Sequence, residues 1–79
     1  MNARAYILLK LTSGNGEDVV AGLRQRPGVV AVDLLEGPPD IAMVIEGTDR
    51  RELARLTIQA LSSVDTVTED PCLLPVQVG

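Results

Sequence analysis

The chain contains no histidine, tryptophan or phenylalanine, and it has a single tyrosine and a single cysteine. Without histidine, the usual general acid–base group near neutral pH is missing and no Ser-His-Asp arrangement can form. Cys72 cannot form an internal disulfide or complete a metal cage, and in its apolar run the thiol is expected to be buried and inert. We therefore expect no enzymatic activity, no cofactor and no metal site.

Long apolar runs and an excess of basic charge are also lacking. The first apolar stretch, residues 5–9, ends at Lys10 and is much shorter than a membrane span or a signal-peptide core. Seven basic against eleven acidic residues give a net charge of −4, which disfavours binding to a phosphate backbone. An unpaired cysteine fits a reducing compartment. These features predict a cytoplasmic protein that contacts neither nucleic acid nor a membrane directly.

The residues that remain are mostly aliphatic. Apolar residues make up 46% of the chain and aromatic residues 1%, so the core must consist of valine, leucine, isoleucine and alanine. Residues 1–79 are expected to form one domain, near the lower size at which a chain buries its own core. Since neither a disulfide nor a metal can staple this core, oligomerisation is the expected source of additional stability.

Apolar periodicity and turn residues divide the chain into six elements. Strands are expected at residues 3–11, 29–35, 41–46 and from 64 onward, and helices at 17–26 and about 50–61. Asp49 and Glu52 have capping-box spacing, and Pro71 predicts a bend or an edge position in the last strand. The order β-α-β-β-α-β is typical of the α+β, ferredoxin-like fold, a two-layer sandwich with a four-stranded antiparallel sheet.

Two of the predicted strands are apolar on both faces. In the first, Ile7 and Leu9 alternate with Tyr6 and Leu8, and the third strand shows the same pattern at residues 41–44. Two helices cover only one face of such a sheet. When the second face is solvated, polar residues normally alternate with apolar ones along each strand. We therefore predict a homodimer packed sheet to sheet, a dimeric α/β barrel. The alternative is a monomer with an exposed apolar face, which is an aggregation hazard.

The second predicted helix carries two neighbouring apolar stripes. One contains Leu53, Leu56 and Ala60, and the other contains Ala54, Ile58 and Leu61. Ile58 and Leu61 lie off the main stripe. They mark either a second contact, between dimers, or one broad buried face.

Three short motifs and one helix occur in a recognisable order: PGVVAV at residues 27–32, GPPDIA at 37–42, the helix that contains Leu53, and VDTVT at 64–68. Together they resemble the effector-binding domain of the Lrp/AsnC family of transcription regulators, an ACT-like domain also called the RAM domain. In that family the domain follows a helix-turn-helix. Because the first strand here begins almost at Met1, the resemblance implies a stand-alone version without the DNA-binding half.

The resemblance also implies a function and an assembly. Family dimers form through their sheets and often assemble into larger oligomers, with effector amino acids bound between dimers. The chain would then sense an amino acid or similar small molecule at subunit interfaces and modulate transcription through a full-length Lrp/AsnC-type regulator. Two alternatives stay open: a purely structural subunit that co-oligomerises with such a regulator, and a small enzyme of the dimeric α+β barrel type, for which a closed, deep pocket inside each protomer would be needed.

The candidate ligand-binding residues follow from matching motifs. Gly37 and Asp40 correspond to the family's Gly-x-x-Asp turn, in which glycine lets the backbone approach a ligand and the carboxylate pairs with an ammonium group. Pro38 and Pro39 lie between them, and Thr66 and Thr68 correspond to threonines whose hydroxyls meet polar groups of the ligand. The structural alternatives are a stiff turn in which Asp40 caps local amides, and threonines placed by β-propensity alone.

Overall fold

The computed structural model describes the backbone of residues 2–78 and the side chains of these residues except 70 and 75–78. Its elements are β1 (Asn2–Leu11), α1 (Gly16–Arg24), β2 (Val29–Leu34), β3 (Ile41–Gly47), α2 (Arg50–Ser62) and β4 (Thr68–Val78). The strands form one antiparallel sheet in the order β2-β3-β1-β4. The predicted ferredoxin-like order and the two-layer architecture are confirmed.

The hydrophobic core lies between the helices and one face of the sheet. Alternate residues of the two central strands point into it: Ala3, Ala5, Ile7 and Leu9 from β1, and Ile41, Met43 and Ile45 from β3. The helices contribute Val20, Leu23, Leu53, Leu56 and Ala60. The core is therefore aliphatic, as the composition predicted, and the main stripe of α2 is confirmed.

Helix α2 buries a narrower face than its apolar residues predicted. Ala54 and Ile58 are exposed, and Leu61 is partly buried against the core. The interpretation of Ile58 and Leu61 as part of one broad buried face is therefore wrong for Ile58. Thr57 is buried instead, and its hydroxyl donates to the Leu53 carbonyl over 2.7 Å. Because this bond satisfies the hydroxyl within the helix, a polar residue can occupy the core at little cost.

Two local features fix where α2 lies on the sheet. The Asp49 carboxylate accepts from the Glu52 N–H over 2.8 Å, and the Glu52 carboxylate accepts from the Thr48 N–H over 3.1 Å, so the predicted cap is confirmed. Gly28 has φ +82°, and a Cβ there would lie 2.5 Å from Leu56 Cδ1. Gly28 precedes β2 and its backbone lies close to α2. Only glycine can adopt this positive φ and leave room for the Leu56 side chain.

Strand β4 begins later than predicted. Residues 64–67 form a turn in which the Val67 N–H donates to the Val64 carbonyl over 3.1 Å, and the Val64 side chain is buried in the core. The prediction that the last strand starts at Val64 is therefore wrong, and Thr66 lies in the turn before the strand. The β1–β4 register shifts near Pro71, as predicted for a residue that cannot donate to the ladder and lies in an edge strand.

Candidate functional site

Residues 37–40, which we call the corner, close the β2–β3 hairpin at one end of the sheet. Gly37 has φ +78°, a left-handed conformation that favours glycine. The Leu35 N–H donates to the Asp40 carbonyl over 2.6 Å and so closes the loop. Gly37, Pro38 and Pro39 are exposed, and the corner therefore presents its surface to solvent.

Asp40 is held against β1 by two hydrogen bonds. Its N–H donates to the Leu9 carbonyl over 2.9 Å, and its Oδ2 accepts from the Leu11 N–H over 2.8 Å. The carboxylate thus takes the place of a strand carbonyl just before the start of β3, as the stiff-turn interpretation expects. A carboxylate has about four acceptor sites, so the same group can also accept from a ligand.

Thr66 and Thr68 lie on the other side of β1 from the corner. Thr68 pairs with Leu11 across the β1–β4 ladder, and its hydroxyl donates to the Val64 carbonyl over 2.8 Å. Since Leu11 also bonds to Asp40, the corner and Thr68 flank the same end of β1, two strand spacings or about 10 Å apart. The structure brings the predicted residues to one end of the sheet without gathering them around a single point.

A groove of about 310 Å³ lies beside the corner and is lined by Leu8, Lys10, Pro38, Pro39 and Cys72. Leu8 and Lys10 form its floor, since they alternate with the buried Leu9 and so lie on the sheet face opposite the helices. The prolines of the corner form one wall. Cys72, which pairs with Leu8 across the ladder, forms the other.

Sequence reasoning found the two prolines of this groove and missed its other three residues. Leu8, Lys10 and Cys72 become neighbours only through the β1–β4 register, which no local pattern in the sequence reveals. The strict alternation of β1 was the available signal, because it places Leu8 and Lys10 on one face. Cys72 is exposed, and the expectation of a buried thiol is wrong because β4 is an edge strand on this side of the sheet.

The sheet face opposite the helices, which we call the open face, has an apolar centre. Cross-strand pairing places two rows of side chains there: Tyr6 with Val44 and Leu74, and Leu8 with Ala42 and Cys72. Tyr6 is 39% and Leu74 50% exposed in the single chain. A contiguous apolar surface of this kind marks an interaction site more often than a solvated face.

Charged pairs lie near both ends of the open face. At one end Arg4 donates to Glu46 over 2.6 and 3.1 Å, and Asn2 donates to the same carboxylate over 3.0 Å. The hydrogen bond to Glu46, and then that to Tyr6, raises the pKa of Arg4 above its ordinary value. At the other end the Lys10 ammonium lies 3.5 Å from Glu69. The open face therefore has an apolar centre between charged ends.

Neither a membrane-spanning helix nor a metal-binding cluster occurs in the described part of the chain. Across residues 2–78, no helix is long and apolar enough to cross a membrane. Among the side chains that the structure describes, no three histidine, cysteine, aspartate or glutamate residues are grouped so that they could hold a metal ion.

A family model, the Lrp/AsnC ligand binding domain, matches residues 4–69, from β1 to the beginning of β4. None of the curated proteins compared with the chain matches it. This family match covers both helices, the corner and the turn before β4.

Several solved structures share the fold. FFRP-DM1 superposes with a TM-score of 0.81 at 16% identity, over 95% of this chain and 99% of that one. TTHA0845 from Thermus thermophilus gives 0.80 at 19% identity, over 98% and 95%. The transcriptional regulator NMB0573 from Neisseria meningitidis, solved as a complex with L-Met, gives 0.73 at 22% identity, over 96% of this chain and 50% of that one.

Proposed function

Because the chain belongs to the Lrp/AsnC ligand-binding domain family, we propose that it is an oligomeric effector-binding module for an amino acid or a similar small molecule. The family match over residues 4–69 is the observation that carries the proposal. The position of the groove supports it, since the corner that matches the family's ligand-receiving turn supplies Pro38 and Pro39 to the lining. We infer that the module binds its effector at subunit interfaces and modulates transcription through a full-length regulator of the same family.

The homodimer in this proposal packs open face against open face. Related by a two-fold axis, two copies bring together identical apolar centres that contain Tyr6 and Leu74. The charged pairs at both ends then lie at the rim, in the usual arrangement of an apolar interface core with a polar surround. Further assembly of dimers needs another surface, and Ile58 on α2, which is 65% exposed, supplies an apolar contact for it.

Calorimetry with each of the twenty amino acids tests the binding part of this proposal. We expect saturable heat from at least one of them. Native mass spectrometry of the same samples measures the assembly, which we expect to contain an even number of chains. The absence of heat across the whole panel would contradict the sensor function.

A second candidate is a structural subunit that co-oligomerises with a regulator and senses nothing. The hydrogen bond from the Leu11 N–H to the Asp40 carboxylate favours it, because that bond gives the carboxylate a structural role against β1 that needs no ligand. If the chain captures a helix-turn-helix homologue equally well with and without amino acids, that result would support this candidate. The enzyme alternative requires a deep pocket within each protomer, and the groove at the corner is wide-mouthed and lies on the surface.

A further inference from the structure

We propose that the exposed side of α1 and α2, which we call the helix layer, is a second interface between copies of this chain. A two-fold axis perpendicular to the helices relates the two copies. The inference rests on the proposed function and deepens it, because it names the surface by which sheet-to-sheet dimers associate further. The helices and the open face lie on opposite sides of the sheet, so that dimer leaves the helix layer exposed.

One end of the helix layer is rich in arginine. The Glu46 N–H donates to the Gly28 carbonyl over 2.9 Å, which places the end of α1 beside the start of α2. This end contains five of the chain's six arginines, namely Arg24, Arg26, Arg50, Arg51 and Arg55. Asp49 and Glu52 are the acidic residues there, and both carboxylates accept from backbone N–H groups at the start of α2. The end therefore has an excess of positive charge.

The opposite end of the helix layer is acidic. The Thr12 N–H donates to the Val67 carbonyl over 2.8 Å, which places the start of α1 beside the turn that follows α2. The exposed charged residues of these two segments are Glu17, Asp18 and Asp65. The helix layer is therefore positive at one end and negative at the other.

The stability of α2 does not explain the position of its charges. Negative side chains stabilise the first turn of a helix, and positive ones stabilise the last turn. Helix α1 follows this rule, with acidic residues at its start and Arg24 at its end. Helix α2 does the reverse: it begins with Arg50 and Arg51, has no basic residue in its last turn, and is followed by Asp65. A charged partner supplies a reason for this arrangement.

The charge pattern of the helix layer is complementary to itself. A two-fold axis perpendicular to the helices turns the second copy end over end, so each acidic end faces an arginine end. Arg51 and Arg55 of one copy then face Asp65 of the other. A two-fold axis parallel to the helices would instead bring like charges together. The charges therefore select one orientation of the two copies.

Uncharged residues between the two ends fit the same arrangement. Arg51, Arg55 and Ile58 share one face of α2, and Ile58 is 65% exposed. In α1, Gly22 is exposed, and a Cβ there would meet nothing within 4 Å. Glycine is unfavourable in a helix, and packing within this chain does not require it at this position. Its missing side chain lets a second copy approach α1 closely.

Charge reversal at Arg51 and Asp65 tests the proposed contact. Arg51→Glu and Asp65→Arg each place like charges opposite one another. Either should weaken the association of dimers about tenfold, since the two-fold axis repeats each exposed pair. Both substitutions bring α2 closer to the charge preference of helix ends, so we expect the fold to be retained. Native mass spectrometry and sedimentation velocity at several protein concentrations measure the association.

Two double variants separate the pair from the net charge. Arg51→Glu with Asp65→Arg forms the pair again with reversed signs, and it should restore association. Arg51→Glu with Glu36→Arg is the matched control, because Glu36 is exposed in the loop before the corner and its replacement changes the net charge equally. We expect no restoration in the control. Equal restoration in both double variants, or unchanged association in both single variants, would overturn the inference.

Gly22→Gln tests the approach of α1 without changing any charge. Glutamine favours the helix, so the variant should unfold at a higher temperature, while its side chain should block the second copy and leave only dimers. Salt provides a further test on the unmodified protein. From about 0.1 to about 1 M salt the Debye length falls from about 10 to about 3 Å, which should weaken the larger assemblies and leave the apolar dimer. Larger assemblies that persist in Gly22→Gln, or an unmodified protein that never exceeds two chains at low salt, would contradict the proposed interface.

The outcome is distinguishable from that of the proposed function. Amino-acid binding together with unchanged association in every helix-layer variant would support the sensor function and overturn the inference. Association that follows the charge reversals while no amino acid binds would support the helix-layer interface and contradict the amino-acid sensor.

Discussion

At the scale of single residues, Asp40 has a structural role and a proposed binding role that can be separated by mutation. Its Oδ2 accepts from the Leu11 N–H. We propose, from the resemblance to the family's Gly-x-x-Asp turn, that the same carboxylate also binds the ligand. Asparagine keeps an oxygen acceptor for the N–H but has no negative charge, whereas alanine removes the acceptor entirely. The two substitutions therefore affect different functions of one side chain.

We expect Asp40→Ala to lower the free energy of unfolding by about 1–2 kcal/mol, the usual effect of losing a hydrogen bond to a charged group. Asp40→Asn should cost much less, and it should still abolish binding of an amino acid whose ammonium group pairs with the carboxylate. Urea unfolding followed by circular dichroism measures the first effect, since the chain has no tryptophan, and calorimetry measures the second. If both variants bind and assemble normally, the corner is only a turn.

Two glycines are expected to respond to alanine in opposite directions. Gly28 combines a positive φ with a Cβ position 2.5 Å from Leu56 Cδ1, so Gly28→Ala should destabilise the fold by about 2–4 kcal/mol. Gly22 is exposed within α1 and a Cβ there meets nothing within 4 Å. Gly22→Ala should stabilise by about 0.5–1 kcal/mol because alanine favours the helix. Thermal unfolding of the two variants gives the signs directly.

At the scale of elements, both edges of the sheet carry features that oppose further strand pairing. On β4 this is Pro71, which lies where the register with β1 shifts. On β2 the Arg24 guanidinium donates to the Val32 carbonyl over 2.9 Å and so occupies a backbone acceptor of that edge strand. This protection matters on β2 because Val30 and Leu34 are 58% and 47% exposed.

We expect Arg24→Ala to aggregate faster than the unmodified protein, because an apolar edge strand with an unoccupied carbonyl can pair with another chain. Light scattering during incubation at moderate temperature measures the rate. Arg26→Ala changes the net charge equally at an exposed position near the end of α1, and it should aggregate at the original rate. Equal acceleration in both variants would assign the effect to charge and not to the edge.

The elements also show how far the sequence predicts the structure. Apolar alternation predicted the faces of β1 and β3, and the turn residues predicted the order of the six elements along the chain, because both are local signals. The start of β4 was misplaced because Val64 is apolar for a different reason: it fills the core from a turn. The groove could not be predicted, since Leu8 and Cys72 meet only through a long-range register that is offset near Pro71.

At the scale of the whole molecule, the open face decides whether the single chain is the functional unit. The helices cover one side of a small aliphatic sheet, and the centre of the other side contains Tyr6, Leu74 and partly buried neighbours. If two copies share this face, folding and association are coupled. The unfolding midpoint should then rise with protein concentration, as mass action requires for a dimer.

Tyr6→Glu tests the interface itself, because it places a charge at the centre of the proposed contact, where burial without a partner is costly. We expect a monomer in size-exclusion chromatography with light scattering, and an unfolding midpoint that no longer depends on concentration. Ile58→Glu, an equal charge change at an exposed position of α2, should leave the dimer intact and weaken only larger assemblies. Dissociation by Ile58→Glu with an intact dimer in Tyr6→Glu would place the dimer interface on the helices, and the open face would then need another partner.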